Sequence, residues 1–318
     1  MLFQGKRLLV TGGAGFIGSN LVDRLVEEKA EVTVLDDLFT GRKGNIQAID
    51  KIEFIQGSVT DRQLVNQLIK QSDFVFHLAA RNIIVSTQAP ELDFEVNSRG
   101  TFNILLAARK FGIKRIIYSS SASIYGNPHY LPINEDNNIN ILNPYAASKF
   151  TGENYSFAYH ETFNVPVSVV RYSNVFGVRQ NPHNPYCGVI SKFFDAALNG
   201  RSIQIHGDGE QTRDFTYVSD TVDATILTAL SPKAEGQVFN VGSGKETSIN
   251  QLAEMINNLC GNRSEIVHID RRDIDNIRRR VMNIEKIRHF LRWVPTVNLS
   301  EGLKKTHAWL IKNVNYRS

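Results

Sequence analysis

Two rhythms of apolar and polar residues alternate along the first half of this chain. Short apolar runs read as strands: RLLVTG (7–12), EVTVLDD (31–37), IEFIQGSV (52–59), DFVFHLAA (73–80), RIIYSSS (115–121) and PVSVVRYSNV (166–175). Between them lie amphipathic stretches of helical period, at 17–29, 93–112 and 145–163. Strands alternating with helices predict an α/β protein whose doubly wound parallel sheet is covered on both faces.

After about residue 175 the rhythm breaks. NPHNPYCG (181–188) reads as a polar, Pro-rich loop and VISKFFDAALNG (189–200) as a helix. SIQIHGDGEQTRDFTYV (202–218) looks like a hairpin, VFNVG (238–242) like one more core strand, and SINQLAEMINNLCG (248–261) like an amphipathic helix. The pattern predicts a sheet domain from 1–175 plus roughly 214–242. A smaller, interleaved C-terminal lobe takes 176–213 and 243–318. Neither repeats nor low-complexity segments interrupt this plan.

Composition narrows the functional classes. With 318 residues, 42% hydrophobic and 21% charged, the chain can bury a full core. The net charge of +4 is spread along the chain, which argues against nucleic acid as a partner. Two cysteines, Cys187 and Cys260, supply neither a disulfide framework nor a metal set. With no apolar run of membrane-spanning length and no signal peptide, the expectation is a cytoplasmic protein without metal.

The first chemical signal is VTGGAGFIGS. Gly12, Gly15 and Gly18 follow the first strand and open the first helix, where backbone must approach a ligand closely and N–H groups lie free for a pyrophosphate. The next strand ends in Asp36-Asp37, placing Asp36 where a carboxylate accepts from an adenosine ribose. This is the Rossmann-type arrangement. An acid there favours NAD over NADP, although Arg42 and Lys43 nearby leave NADP open. The bland alternative is a tight turn that binds nothing.

The second signal is NPYAASK. Tyr145 and Lys149 are four apart, so a helix puts both on one face. A lysine ammonium one turn away, with the positive nicotinamide, stabilises a phenolate and turns tyrosine into a usable base. Alone, such a pair fits a solvated helix face equally well.

TGGAGFIG, HLAA, SSSASIYG, YAASK, RYSNVFG and GDGEQTRDFTYV occur in this order, over roughly residues 6 to 300. The set resembles the extended short-chain dehydrogenase/reductases, and within them the NAD-dependent nucleotide-sugar epimerase/dehydratase family. The resemblance implies Tyr145 as general base, Lys149 as its partner at the nicotinamide ribose, and Ser121 as the hydroxyl that binds the reacting sugar oxygen. It implies an NAD site lined by Gly12, Gly15, Phe16, Ile17, Gly18, Asp36, Val59, Leu78, Ala79, Ala80 and Asn97. The acid common before the Val59 position is Ser58 here. The implied ligand is a nucleotide-diphosphate sugar, foremost a UDP-sugar.

The serine stretch then separates branches of the family. Dehydratases carry Thr-Asp-Glu where this chain has Ser121-Ala122-Ser123, and decarboxylases place a glutamate at the Ser123 position. Elimination needs an acid and a base that Ala122 and Ser123 do not provide. Ser, Tyr and Lys suffice for oxidation at C4, turning of the tethered keto-sugar and return of the hydride, which is 4-epimerisation with NAD recycled. A keto-sugar reductase and a non-catalytic dinucleotide sensor are the competing readings.

In the second lobe Arg213 is a candidate diphosphate clamp, because its guanidinium fork matches phosphate oxygens. The resemblance places Asn174 near the sugar phosphate and Val189 and Phe215 beside the base. Arg272 and Arg278 are further candidates for the diphosphate, against a bland reading as a solvated basic face. Arg280 and Arg81 fall near the expected sugar position, where either arginine could pair with a C5 carboxylate. In relatives the helices at 93–112 and 145–163 pair across a two-fold axis into a four-helix bundle, which implies a homodimer.

Overall fold

The computed structural model describes residues 2–184, 187–271 and 276–313. Its strands are β1 (Arg7–Thr11), β2 (Glu31–Asp36), β3 (Glu53–Gln56), β4 (Phe74–His77), β5 (Arg115–Ser121) and β6 (Val167–Tyr172). Then come β7 (Asn174–Phe176), β8 (Ile203–His206), β9 (Thr212–Tyr217), β10 (Val238–Val241), β11 (Glu246–Ser248) and β12 (Ile266–Ile269). The first helices are α1 (Phe16–Glu27), α2 (Arg62–Lys70), α3 (Ile83–Gln88), α4 (Pro90–Asp93), α5 (Gly100–Phe111) and α6 (Pro144–Phe163). They are followed by α7 (Val189–Leu198), α8 (Val218–Leu230), α9 (Ile249–Leu259), α10 (Glu285–Leu291) and α11 (Leu299–Asn313).

Seven strands form one parallel sheet in the order β10-β6-β5-β4-β1-β2-β3. The order reverses between β1 and β4, and a crevice opens there beyond the carboxyl ends of the strands. Alternation along each strand builds a core on each face. Leu8, Val10, Ile117 and Val170 meet Leu21, Val22 and Leu25 of α1 and Val222 and Ile226 of α8. On the other face Leu9, Val75, Ile116 and Val169 meet Val65 and Ile69 of α2 and Ile104 and Leu105 of α5.

β10 reaches this sheet from late in the chain and pairs with β6, as the apolar run at 238–242 predicts. The remaining strands form a three-stranded sheet, β11-β9-β7, and a parallel pair, β12-β8. The predicted hairpin at 202–218 is therefore corrected. β8 alternates buried and exposed positions and pairs only with β12. β9 is buried along nearly its whole length, so both its edges are paired, to β7 and β11. Gly207 and Gly209, both with φ near +75°, turn the chain between the two sheets.

The helix predicted at 93–112 is also not uniform. Phe94–Arg99 is a wider π segment between α4 and α5, with Val96, Asn97 and Ser98 buried. Asp214 in β9 ties β9 to two later segments of the chain. Its carboxylate accepts from Ser243 N–H (2.7 Å), Ser243 Oγ (2.6 Å), Gly244 N–H (3.0 Å) and Met282 N–H (3.1 Å). Among the described residues no helix is long and apolar enough to cross a membrane, and no His, Cys, Asp and Glu cluster could hold a metal.

Candidate active site

The cleft at the sheet reversal is lined by the β1–α1 turn, the ends of β2, β4 and β5, and α6. Gly12 has φ +71°, and a Cβ there would lie 2.7 Å from the Ala79 nitrogen. At Gly18 a Cβ would fall 2.1 Å from the Gly12 carbonyl oxygen. Only glycine lets these backbones touch. Gly15 caps α1 without a side chain, so the helix's first N–H groups face the cleft uncapped. At the far end Asp36 is fixed by Ala14 N–H (2.9 Å) and Leu38 N–H (2.8 Å). An uncapped helix N-terminus, a cradle without side chains and a fixed carboxylate fit a dinucleotide's pyrophosphate and ribose.

Of the residues assigned to NAD, Gly12, Gly15, Phe16, Ile17, Gly18, Asp36, Val59, Leu78, Ala79 and Ala80 line the cleft, together with Tyr145 and Lys149. Asn97 stands behind the wall instead. Its amide oxygen accepts from Arg81 N–H (2.7 Å), and its nitrogen donates to the Arg81 carbonyl, Asp93 and Ser148. Asn97 thus shapes the loop after β4 without lining the cleft.

The three serines at the end of β5 do three different things. Ser119 donates to the His77 carbonyl at 3.0 Å and holds neighbouring strands in register. Ser120 lines the cleft, and its buried hydroxyl has no partner among the described residues. Ser121 accepts from Ser123 N–H and donates to the Ser123 hydroxyl, both at 3.1 Å, which starts the 3₁₀ turn Ala122–Tyr125. Burial raises the pKa of Tyr145, and a hydrogen bond with Ser121 pulls it back. In the protein alone the phenol therefore keeps its proton at neutral pH.

Lys149 follows one turn later on α6, its Nζ 4.5 Å from the centre of the Tyr118 ring. Burial lowers its pKa to about 8, while Glu153 and Asp93 push it up. These two carboxylates are missing from the sequence-based set. Asp93 is buried and bonded to Ser86, Asn97 and Ser148. Glu153 is buried in an ion pair with Arg171, 2.7 Å between Nη2 and Oε2. Arg171 also donates to the Tyr125 hydroxyl, which donates to Asn240 of β10. Glu153 had a visible signal, since it follows Lys149 at the same spacing as Lys149 follows Tyr145; Asp93 had none. His77, in HLAA, is a buried neutral ring between Thr11 (2.7 Å) and Thr101 (2.9 Å), its pKa driven to about 3 by burial and Lys149.

The residues assigned to the sugar nucleotide scatter more widely. Arg81 lines the cleft, but its guanidinium pairs with Asp37 at 2.5 Å, at the end of β2. The carboxylate it faces stands next to Asp36, directly after β2. Arg213 is buried in β9 and donates to the Thr212 and Ile277 carbonyls, both at 2.8 Å. Phe215 packs edge-on against Phe176 in the main core. Arg278 is exposed and held by Asp208 at 2.7 and 2.8 Å. Arg280 is buried, Asn174 opens β7 opposite Phe215, and Val189 opens α7; none of these lines the cleft. Arg272 lies outside the described residues.

A glycine-built dinucleotide cradle that shares one cleft with a Tyr–Lys pair defines a Rossmann-fold enzyme. The chain belongs to the NAD dependent epimerase/dehydratase family, which it matches over residues 8–242. It is 40% identical to a UDP-glucose 4-epimerase of Mycolicibacterium smegmatis over 94% of this chain and 97% of that protein. It is 38% identical to a UDP-N-acetyl-α-D-glucosaminuronate decarboxylase of Bacillus cytotoxicus, over 96% of this chain and 97% of that protein. The crystal structure of UDP-glucose 4-epimerase with UDP-glucose from Thermotoga maritima superposes with a TM-score of 0.93 at 33% identity, covering 97% of this chain and all of that one.

Proposed function

We propose that this chain is a UDP-hexose 4-epimerase that retains NAD, with UDP-glucose and UDP-galactose as its first substrate pair. The observation that carries this reading is the turn after Ser121. Ala122 is buried, Ser123 is tied to Ser121, and no carboxylate stands on the turn to protonate a leaving group or serve a decarboxylation. Family membership and the two UDP-glucose 4-epimerases above support it.

Bound NAD supplies the hydride acceptor and donor. Tyr145 takes the proton of the C4 hydroxyl and later returns it, and Ser121 hydrogen-bonds the same oxygen and passes its polarity to the phenol. Lys149, protonated below about pH 8, faces the developing phenolate from one turn away. The diphosphate is gripped from the second lobe, read as 176–213 and 243–318, and the free keto-sugar turns between two faces. With Arg81 engaged by Asp37, one of the two arginines read as partners for a C5 carboxylate already faces a carboxylate of the protein, which puts neutral hexoses ahead of UDP-glucuronate. The protein is further read as a cytoplasmic homodimer joined through α5 and α6, whose exposed Tyr155 and Phe163 lie near Phe102 and Arg109.

NMR of the purified protein with UDP-glucose, UDP-N-acetylglucosamine and UDP-glucuronate tests the reading. A C4 epimer should form without net change in NAD. Formation of a UDP-pentose with release of carbon dioxide would assign the protein to the decarboxylases instead.

A further inference from the structure

Arg81 leaves the loop after β4 and reaches the loop after β2. Nη2 and Nη1 donate to the two oxygens of Asp37 at 2.5 and 3.4 Å. The guanidinium carbon lies 4.1 Å from the centre of the ring of Phe39, an exposed residue. The arginine side chain is 9% exposed and the aspartate 28%, so the pair is far better shielded than an ordinary surface bridge. Arg81 and Asp37 both line the cleft, beside Asp36 and Val59.

The base of this side chain is fixed. Asn97 holds both the N–H and the carbonyl of Arg81, and Asn97 is bonded in turn to Ser148, the neighbour of Lys149. The buried Nε–H of Arg81 has no acceptor among the described residues, which leaves one donor of the fork unused by them. Two loops that form separate walls of the cleft are thus joined by one ion pair and one stacked ring, beside the carboxylate that marks the adenosine ribose.

We infer that Arg81, Asp37 and Phe39 form a clasp over the adenosine half of bound NAD and slow its release. The inference rests on the cleft being an NAD site and not on which sugar is turned over. A coenzyme that is reoxidised within each cycle gains from staying bound, and residence time is set by what must break before it leaves. Here that is the Arg81–Asp37 contact, whose planar fork and stacked face a lysine would not reproduce.

The test is release of bound NADH, followed by its fluorescence after a chase with excess NAD, with no sugar nucleotide present. Arg81→Ala and Asp37→Asn should each speed release at least tenfold, and the double variant should be no faster than either. Phe39→Ala, at the exposed end, should speed it about threefold. Melting of the NAD-free proteins separates a lost clasp from a lost fold. Release within twofold of the parent in both single variants overturns the inference. So does an acceleration in Arg81→Ala alone, or effects that multiply in the double variant. Failure of the epimerase assay would leave these rates untouched.

Discussion

On the dinucleotide side of the cleft the wall is backbone. Gly12 and Gly18 let the β1–α1 turn lie against Ala79, and the ligand-facing groups are N–H groups of α1. Around β9, away from the cleft lining, segments are held together by side chains. Asp214 gathers Ser243, Gly244 and Met282, and Arg213 reaches the Ile277 carbonyl. The first kind of wall depends on the close backbone approach that a glycine turn allows; the second depends on side chains that reach segments far apart in sequence. A chemical defect should therefore stay local on the first side, and a defect in a tie should spread on the second.

The largest expected effect comes from the centre between them. Tyr145→Phe removes the proton acceptor and should lower turnover about 10²–10⁴-fold. NAD content after gel filtration and the melting temperature should stay at parental values; loss of either would mean that the phenol also holds the coenzyme or the fold. Glu153→Gln leaves Arg171 buried without its counter-charge and should cost about 3 kcal/mol in urea unfolding. Glu153 also raises the pKa of Lys149, so its loss lowers that pKa below about 8. The alkaline limb of the pH–rate profile, where Lys149 gives up its proton, should move to lower pH. An unmoved limb would detach Lys149 from the rate.

Asp214→Asn turns an acceptor of four hydrogen bonds into a group that presents N–H to some of them, costing about 1–3 kcal/mol. It should raise the KM for the UDP-sugar while leaving NADH release unchanged, which is the sharpest check that the two walls are separable. Arg278→Ala should do least. Its pair with Asp208 is half exposed on both sides and screened by water, so it adds little to stability, and KM should stay within twofold. A tenfold rise would return Arg278 to the substrate wall.

What could be read in the sequence follows from range. The glycine turn, Asp36 and the Tyr145–Lys149 spacing are marked by residue types within one βαβ unit or one helical turn, and their residues line the same cleft. The pairing of Arg81 was not legible because its partner, Asp37, lies two strands earlier and only the sheet order brings the loops after β2 and β4 face to face. Asp93 was invisible because nothing in DFEVN marks a π segment or a carboxylate turned towards Lys149. The hairpin failed for the same reason: β8 and β9 are neighbours in sequence, but each finds its partners in β12, β7 and β11.

The position of β10 has a consequence for how the protein is made. β6 is buried throughout, and its outer edge is covered only by Val238–Val241, which leaves the ribosome after β7, α7, β8, β9 and α8. Until then VSVVRY presents a bare apolar edge that another nascent chain can pair with. The growing chain is thus most prone to self-association late in synthesis. A truncation just before β10 should aggregate even though it carries every residue of the Tyr–Lys centre.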